Sequence, residues 1–232
     1  MIKTILLSPL AFLEAMFTFM AQSLAIVRCR AFLQHDYRTW LKRDLADCDS
    51  ILELGCGSNS PILQIGYGKK TVGVDIFQPY VDVHNEHKDY QSCERADILS
   101  YQYLPRTFDA VVICDVFEHL DKDCVIKRKL FERMESTARK KVIIFTPNGW
   151  VENDPVDGNF AQEHKSAWEP VDYLSRGYSV KGTHGWRWIV GKAGLPKRKP
   201  ISLWSIVAML SLPVVFNHPE WAGHSYAVKV VK

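Results

Sequence analysis

The sequence predicts an α/β fold whose sheet is mostly parallel. Short, almost continuously apolar runs alternate with amphipathic or polar segments between residues 50 and 148. Strands that are apolar along their whole length are typical of a parallel sheet with helices on both faces, since neither face of such a strand meets water. The chain has 232 residues, which is enough for one such domain with additions.

The first predicted element after the N-terminal segment is a polar helix, "RAFLQHDYRTWLKRDLADC", and the strand "SILEL" follows it. The next segment, "SPILQIGYG", predicts a helix that stops at its glycines, because glycine is a poor helix former. The strand "KTVGVDI", a helix or turn at "PYVDVHNEHK" and a short strand end at "RADIL" come next. "FDAVVICDVF" is rich in β-branched residues and predicts a strong strand.

The second half of the pattern begins with "DKDCVIKRKLFERMESTARK", which predicts one amphipathic helix. Asp121 lies near its start and basic residues lie at its end, as the helix dipole favours. "KVIIFTPN" predicts a buried strand that Pro147 ends, and residues 147–170 predict a loop. "GYSVKGT" and the terminal "HSYAVKVVK" predict two further strands.

Composition excludes several classes of function. Hydrophobic residues make up 47% of the chain, charged residues 24%, and the net charge is +3. This mild charge does not by itself indicate a nucleic-acid-binding protein. The six cysteines form no C-x-x-C pair, so a zinc ribbon is not predicted. A chain of this length needs no disulfides, and its cysteine usage fits a reducing cytoplasm.

Residues 1–27 form an apolar segment with two charged residues. Such a segment is compatible with a signal peptide, a membrane span, a helix on a membrane surface or a helix packed on the domain. Polar residues recur every four positions from Glu14 onwards, which favours the surface or packed helix. We expect residues 1–47 to form N-terminal helices and residues 48–232 to form the main domain.

A second apolar segment, residues 201–216, has no charged residue and lies in an insert at 185–221. It is short for a membrane span, and Pro213 interrupts it. Basic residues precede it and tryptophans surround it, which is typical of a membrane-surface contact or a hydrophobic lid over a substrate. Packing in the core or in a dimer is an equally open interpretation.

The stretch "ILELGCGSNS" places Gly55 and Gly57 between a strand and a helix. Glycine lets the backbone turn sharply and approach a ligand with no Cβ in the way. Dinucleotide-binding loops have the pattern G-x-G-x-x-G, but Ser60 stands at the third glycine position here, and Glu53 precedes the loop. The pattern is therefore E-x-G-x-G.

Acidic residues also end the next two predicted strands. A carboxylate at Asp75 is placed to accept hydrogen bonds from both hydroxyls of a ribose. Asp97 is placed to receive the amino group of an adenine. Either residue alone could be a turn residue or a helix cap, but their combination at successive strand ends indicates a nucleoside site.

The motifs "ILELGCGSN", "VGVDI", "ADIL", "FDAVVICDVFEHL" and "KVIIFTPN", in this order, resemble those of class I S-adenosylmethionine-dependent methyltransferases. The resemblance implies a Rossmann-like sheet of seven strands, mostly parallel, with an antiparallel last strand. It implies S-adenosyl-L-methionine as the cofactor. By position, it implies cofactor contacts from the following residues: Glu53, Gly55, Cys56, Gly57, Asp75, Ile76, Asp97, Ile98 and Asp115.

Three histidines are candidate bases for methyl transfer, namely His119, His164 and His184. His119 follows the fourth strand, and His164 lies in "QEHKSAW", in a loop that usually faces the substrate in this family. We select His119 and His164 as the catalytic candidates. A helix-orienting role for His119 and a solvated position for His164 stay open.

The sequence "DVFEH" resembles a known metal-binding motif. Asp115, Glu118 and His119 form D-x-x-E-H, similar to the E-x-x-E-H with which small-RNA 2′-O-methyltransferases bind Mg²⁺. Asp replaces the first Glu, and the sequence shows no convincing basic, aromatic surface for RNA. We therefore expect no metal.

Taken together, the sequence predicts a cytoplasmic enzyme that transfers a methyl group to a small-molecule or lipid-linked acceptor. Contact of residues 1–27 and 201–216 with a membrane surface is one open interpretation, and no nucleic-acid partner is expected. Two alternatives stay open. One is a non-catalytic cofactor-binding module of the same fold, and the other is a metal-assisted RNA 2′-O-methyltransferase.

Overall fold

The computed structural model describes residues 36–153, 158–191 and 195–231. The predicted N-terminal apolar helix and residues 30–35 of the polar helix after it lie outside these residues. The helices are α1 (Tyr37–Asp44), α2 (Pro61–Gln64), α3 (Gln78–His87), α4 (Lys122–Lys127), α5 (Leu130–Thr137), α6 (Pro170–Leu174) and α7 (Ile201–Asn217). The strands are β1 (Ile51–Leu54), β2 (Thr71–Asp75), β3 (Ser92–Arg95), β4 (Phe108–Cys114), β5 (Ala138–Pro147), β6 (Ser179–Trp186) and β7 (Ala222–Val230).

The strands form one seven-stranded sheet in the order β3-β2-β1-β4-β5-β7-β6. Strands β1 to β5 pair in parallel. Strand β7 runs antiparallel to both β5 and β6, so β6 points in the same direction as β1 to β5. The Rossmann-like fold and the antiparallel last strand, paired beside "GYSVKGT", are therefore confirmed. The carboxyl ends of six strands meet at one edge of the sheet.

Alternate residues of the central strands fill two cores, one on each face of the sheet. In β4, Val111 and Ile113 belong to one core, and Ala110 and Val112 belong to the other. Strands β1 and β5 divide in the same way, which is the two-residue period of a strand covered on both faces. The nearly continuous apolar runs of the sequence have this origin.

The single helix predicted from "DKDCVIKRKLFERMESTARK" is wrong. Asp121 caps α4 as expected, by accepting a hydrogen bond from the amide of Cys124. Lys129 then adopts a left-handed conformation, with φ of 54°, and divides the segment into α4 and α5. The last residues of the segment belong to β5, where the Arg139 side chain donates to Asp109 on β4 at 2.9 Å. Tertiary pairing outweighs local helix propensity there.

The strand end predicted at "RADIL" lies too late in the sequence. Strand β3 is Ser92–Arg95, and Asp97 and Ile98 lie in the turn after it. Three of the four strand residues are exposed, with Cys93 buried, so this edge strand has no apolar run that would identify it.

The apolar insert contains α7, which packs against the edge strand β6 at two glycines. A Cβ added to Gly182 would lie 2.1 Å from the carbonyl oxygen of Val215. One added to Gly185 would lie 2.7 Å from that of Ala208. Helix and strand backbones therefore touch directly, and Ser211 accepts a hydrogen bond from the Trp186 amide. Among the described residues, no helix is long and apolar enough to cross a membrane.

Candidate active site

The carboxyl edge of the sheet opens into a cavity of about 650 Å³. The predicted residues that line it are Gly55, Cys56, Gly57, Asp75, Ile76, Asp97, Ile98, Asp115 and His119. Glu53 and His164 are not among its lining residues. Tyr37, Arg38, Lys165 and the third candidate base, His184, also line it, and all four lie outside the five motifs that carry the family resemblance. The volume is within the range usual for small-molecule sites.

The glycine loop takes its shape from two residues with positive φ, 75° at Gly55 and 53° at Gly57. A Cβ on Gly55 would lie 2.3 Å from a methyl group of Val116, so no side chain fits there. A Cβ on Gly57 would meet nothing within 4 Å. The first glycine is needed for packing under the loop, whereas the second presents bare backbone to the cavity.

Glu53 lies behind the glycine loop and holds it. Its carboxylate accepts hydrogen bonds from the hydroxyl of Ser60, at 2.7 and 2.8 Å, and from that of Tyr90, at 2.7 Å. Ser60 also accepts from the first amides of α2 and caps that helix. Burial raises the pKa of Glu53 to about 7. Ser60, which stands at the third glycine position, thus connects the glycine loop to β1 and to α2.

Asp75 connects the glycine loop to the end of β2. Its Oδ2 accepts a hydrogen bond from the amide of Gly57 at 2.8 Å, and its Oδ1 accepts one from that of Phe77 at 2.9 Å. A carboxylate offers about four lone-pair positions, so each oxygen retains one for a ligand. A pair of acceptors at this position matches the two hydroxyls of a ribose.

His84 supports the same loop from α3. Its Nε2 donates to the carbonyl of Gly57 at 2.6 Å, and its Nδ1 donates to Asp89 at 2.9 Å. Burial alone would lower the pKa of His84, but these two hydrogen bonds outweigh it and raise the pKa above its usual value. A ring that donates from both nitrogens is cationic. Sequence reasoning missed this residue, because its position in "PYVDVHNEHK" carries no motif.

The predicted adenine end of the cavity combines apolar and acidic groups. Ile98 is buried, whereas Ile76 is 47% exposed and open to a ligand. Asp97 accepts a hydrogen bond from the amide of Leu99 through Oδ1. At the other side of the glycine loop, Asp115 follows β4 with φ of 52°, a conformation that non-glycine residues adopt rarely.

A cluster of Glu118, His119 and His164 adjoins the cavity, and one potential ligand atom from each lies within 4.8 Å of the others. The Nδ1 atoms of the two histidines bond the carbonyls of Glu163 and Val151, which leaves each Nε2 with the lone pair. Burial and the His164 ring lower the pKa of His119 to about 4. Burial, with the nearby Asp115, raises the pKa of Glu118.

The cavity also has an aromatic end, lined by residues of α1 and β6. The ring of Tyr37 stacks on Phe145, with centroids 3.8 Å apart. His184 occupies an irregularity of β6, with φ of 64°, and its ring lies 4.3 Å from that of His224. Burial lowers the pKa of His184 to about 4, and within the described residues its Nδ1 has no hydrogen-bond partner. The sequence indicates His184 as a candidate base, but it is not one of the two selected catalytic candidates.

Comparison with protein families relates part of this fold to a known family. Residues 52–140, from β1 to the start of β5, match the family model described as a methyltransferase domain. This part of the chain is therefore similar to a methyltransferase domain. The resemblance drawn from the sequence is thereby confirmed, and the glycine loop, Asp75 and Asp115 all lie within the matched residues.

Solved structures share the fold of this methyltransferase domain at low sequence identity. One is a SAM-dependent methyltransferase from Archaeoglobus fulgidus, with a TM-score of 0.51, 16% identity, and coverage of 83% of this chain and 94% of that one. Another is the PH0226 protein from Pyrococcus horikoshii, with a TM-score of 0.51, 15% identity, and coverage of 88% and 91%.

A small RNA methyltransferase is a third structure with this fold. It has a TM-score of 0.50 and 16% identity, and the alignment covers 84% of this chain but 26% of that protein. No curated protein sequence matches the chain. At these identities the structural comparisons show the fold alone, so the roles of individual residues in the methyltransferase domain depend on the geometry described above.

Proposed function

We propose that the domain binds S-adenosyl-L-methionine in the 650 Å³ cavity and transfers its methyl group to a small-molecule or lipid-linked acceptor. The observation that carries this proposal is the environment of Asp75. Its carboxylate anchors the glycine loop and keeps two acceptor positions, beside the uncovered backbone of Gly57. A nucleoside fits this arrangement, and the family match supplies the chemistry.

The lining residues fit each part of the cofactor. Gly55 and Gly57 would lie under its methionine portion, and Asp75 would hold its ribose. Ile76 and Ile98 would flank the adenine, within reach of Asp97. When bound, the cofactor supplies an electrophilic methyl group on a sulfonium. The cavity then has to align the acceptor with that bond and exclude water.

The aromatic end of the cavity, with Tyr37 and His184, is the proposed acceptor site. His119 and His184 are uncharged near neutral pH, because burial lowers the pKa of each to about 4. A neutral imidazole is able to accept a hydrogen bond or a proton from an acceptor hydroxyl or amine. His164 does not line the cavity and would act through His119, whose ring centroid lies 4.7 Å from its own.

Calorimetry and turnover test the proposal separately. The full chain should bind S-adenosyl-L-methionine and S-adenosyl-L-homocysteine, and Asp75→Ala should abolish or strongly weaken both. The absence of binding by the wild-type chain would refute the cofactor assignment. Labelled methyl transfer into a metabolite or membrane extract, with release of S-adenosyl-L-homocysteine, would distinguish an enzyme from a non-catalytic binding module.

The cluster of Glu118, His119 and His164 favours a second candidate, a metal-assisted RNA 2′-O-methyltransferase. One carboxylate and two imidazoles form a suitable ligand set for a divalent ion. The backbone hydrogen bonds at each Nδ1 orient the Nε2 lone pairs, as the outer partners of metal-bound histidines do. A small RNA methyltransferase also shares the fold.

Metal removal decides between the two candidates. The second candidate predicts that EDTA abolishes turnover, that Mn²⁺ restores it, and that RNA 3′ ends accept the methyl group. It also predicts that Glu118→Gln weakens Mn²⁺ binding measured by calorimetry. Full turnover in EDTA, with no labelling of RNA, would reject the second candidate and leave the first.

A further inference from the structure

Helix α7 has an apolar surface on every side but is packed on one side within the described residues. None of its 17 residues is charged. Ala208, Leu212 and Val215 are buried against the domain, whereas Leu210 is 69% exposed and Val214 50% exposed. A helix that is apolar all round is normally buried on all sides. We therefore expect the outer face of α7 to contact a partner.

Tryptophans surround the amino-terminal half of this helix. Trp188 is 71% exposed and Trp186 is 43% exposed, and both line a cavity of about 340 Å³ with Trp204 and Arg198. The Arg198 guanidinium lies 5.4 Å from the centroid of the Trp204 ring. Tryptophan and arginine side chains combine an apolar body with a polar tip. They are therefore typical of the membrane interface, where lipid headgroups meet acyl chains.

The charge of this region has one sign. Residues 186–219 contain lysines and arginines but no aspartate or glutamate. Lys197, Arg198 and Lys199 are exposed and lie directly before α7. Lys197 also donates to the carbonyl of Arg187. A run of basic residues beside an uncharged, exposed helix is complementary to an apolar layer covered by anionic groups.

We propose that the outer face of α7, with its tryptophans and Lys197, Arg198 and Lys199, docks on the surface of an anionic lipid bilayer. A helix of this length extends about 25 Å. We infer that it lies in the plane of the interface rather than across the bilayer. Leu210 and Val214 insert among the acyl chains, and the basic side chains meet the phosphates. This inference does not depend on the methyl-transfer proposal.

The charge pattern argues against two other occupants of the same face. A symmetric dimer would cover the apolar face of α7, but residues 186–219 of the second copy would offer the basic cluster no acidic partner. The apolar segment 1–27 has two charged residues, so it offers little to neutralise the cluster. An anionic membrane satisfies both the apolar and the basic part of the surface.

Co-sedimentation of the full chain with vesicles tests the inference. Vesicles of phosphatidylcholine mixed with phosphatidylglycerol should bind the protein, and those of phosphatidylcholine alone should bind it more weakly. Replacing Lys197, Arg198 and Lys199 together by Gln should weaken binding to the anionic vesicles about ten- to a hundredfold. The double variant Leu210→Ser and Val214→Ser should weaken binding to them about tenfold or more.

A matched control uses exposed apolar residues on another helix. Val171 and Leu174 on α6 are 65% and 51% exposed, and their double Ser variant should bind vesicles like the wild type. Wild-type affinity in both α7 variants would overturn the inference and assign any binding to another segment, such as 1–27. The absence of binding to anionic vesicles would also overturn it, as would a dimer that the Leu210 and Val214 changes dissociate.

Discussion

The side chain of Asp75 holds the glycine loop and, in our proposal, the ribose, so Asp75→Asn perturbs two functions at once. Two backbone amides, those of Gly57 and Phe77, donate to different oxygens of the carboxylate. Asparagine has one oxygen and one NH₂ group, so one of these two partly buried amides must face the NH₂ group, which is itself a donor. Leaving one donor unsatisfied costs about 1–3 kcal/mol of folding free energy.

The effect of Asp75→Asn on cofactor binding follows from the same geometry. At least one ribose hydroxyl loses a charged acceptor, and hydrogen bonds to charged groups contribute about 1.5–3 kcal/mol. The affinity for S-adenosyl-L-homocysteine should therefore fall about ten- to a hundredfold. Calorimetry with this product analogue measures the affinity without turnover, and urea denaturation measures the free energy of unfolding.

Asp82→Asn is the matched control for Asp75→Asn. Asp82 is exposed on α3 and accepts a hydrogen bond from Gln78, so the same change of charge should leave both quantities at their wild-type values. A folded Asp75→Asn variant with wild-type affinity would refute the assignment of this carboxylate to the ribose. Lower stability with unchanged affinity would restrict its role to anchoring the loop.

The glycine loop and its support on α3 give the remaining predictions. Gly55→Ala should destabilise the fold by about 2–5 kcal/mol in urea denaturation, because it combines a left-handed backbone with a contact of 2.3 Å to Val116. Gly57→Ala should cost about 1–2 kcal/mol, since nothing lies within 4 Å, but its methyl group should weaken cofactor binding in calorimetry. The pKa of His84 is raised, so its contribution to stability should be complete below the usual 6.5 and disappear as the pH rises through the higher value. His84→Gln should remove that pH dependence from the free energy of unfolding, and an unchanged profile would contradict the role given to His84.

The sequence predicted the central sheet well because these strands are buried on both faces. Such strands appear as short apolar runs, and β1, β2, β4 and β5 have this form. Strand β3 was misplaced because it pairs on one side only and exposes three of its four side chains. The break at Lys129 was missed because no glycine or proline marks it, and the residues after α5 are held in the sheet by Asp109.

The candidate site was predictable where it depends on chain order alone. Glycines and acids that follow parallel strands must meet at one edge, so Gly57, Asp75 and Asp97 could be placed together before the structure was known. Tyr37 and His84 could not be predicted as site residues, because their positions depend on how helices pack on the sheet. The stacking of Tyr37 on Phe145 brings α1 to the cavity, and no local sequence pattern predicts that contact.

Adjacent residues of β6 connect the cavity with the proposed membrane-docking face. His184 lines the aromatic end of the cavity, and the next residue, Gly185, lies against Ala208 of α7. If α7 lies on a bilayer, this end of the cavity is held close to the lipid surface. An acceptor carried on a lipid would then approach from the membrane without losing its apolar contacts. The two proposals are independent in their tests, but together they favour the lipid-linked acceptor over a freely diffusing one.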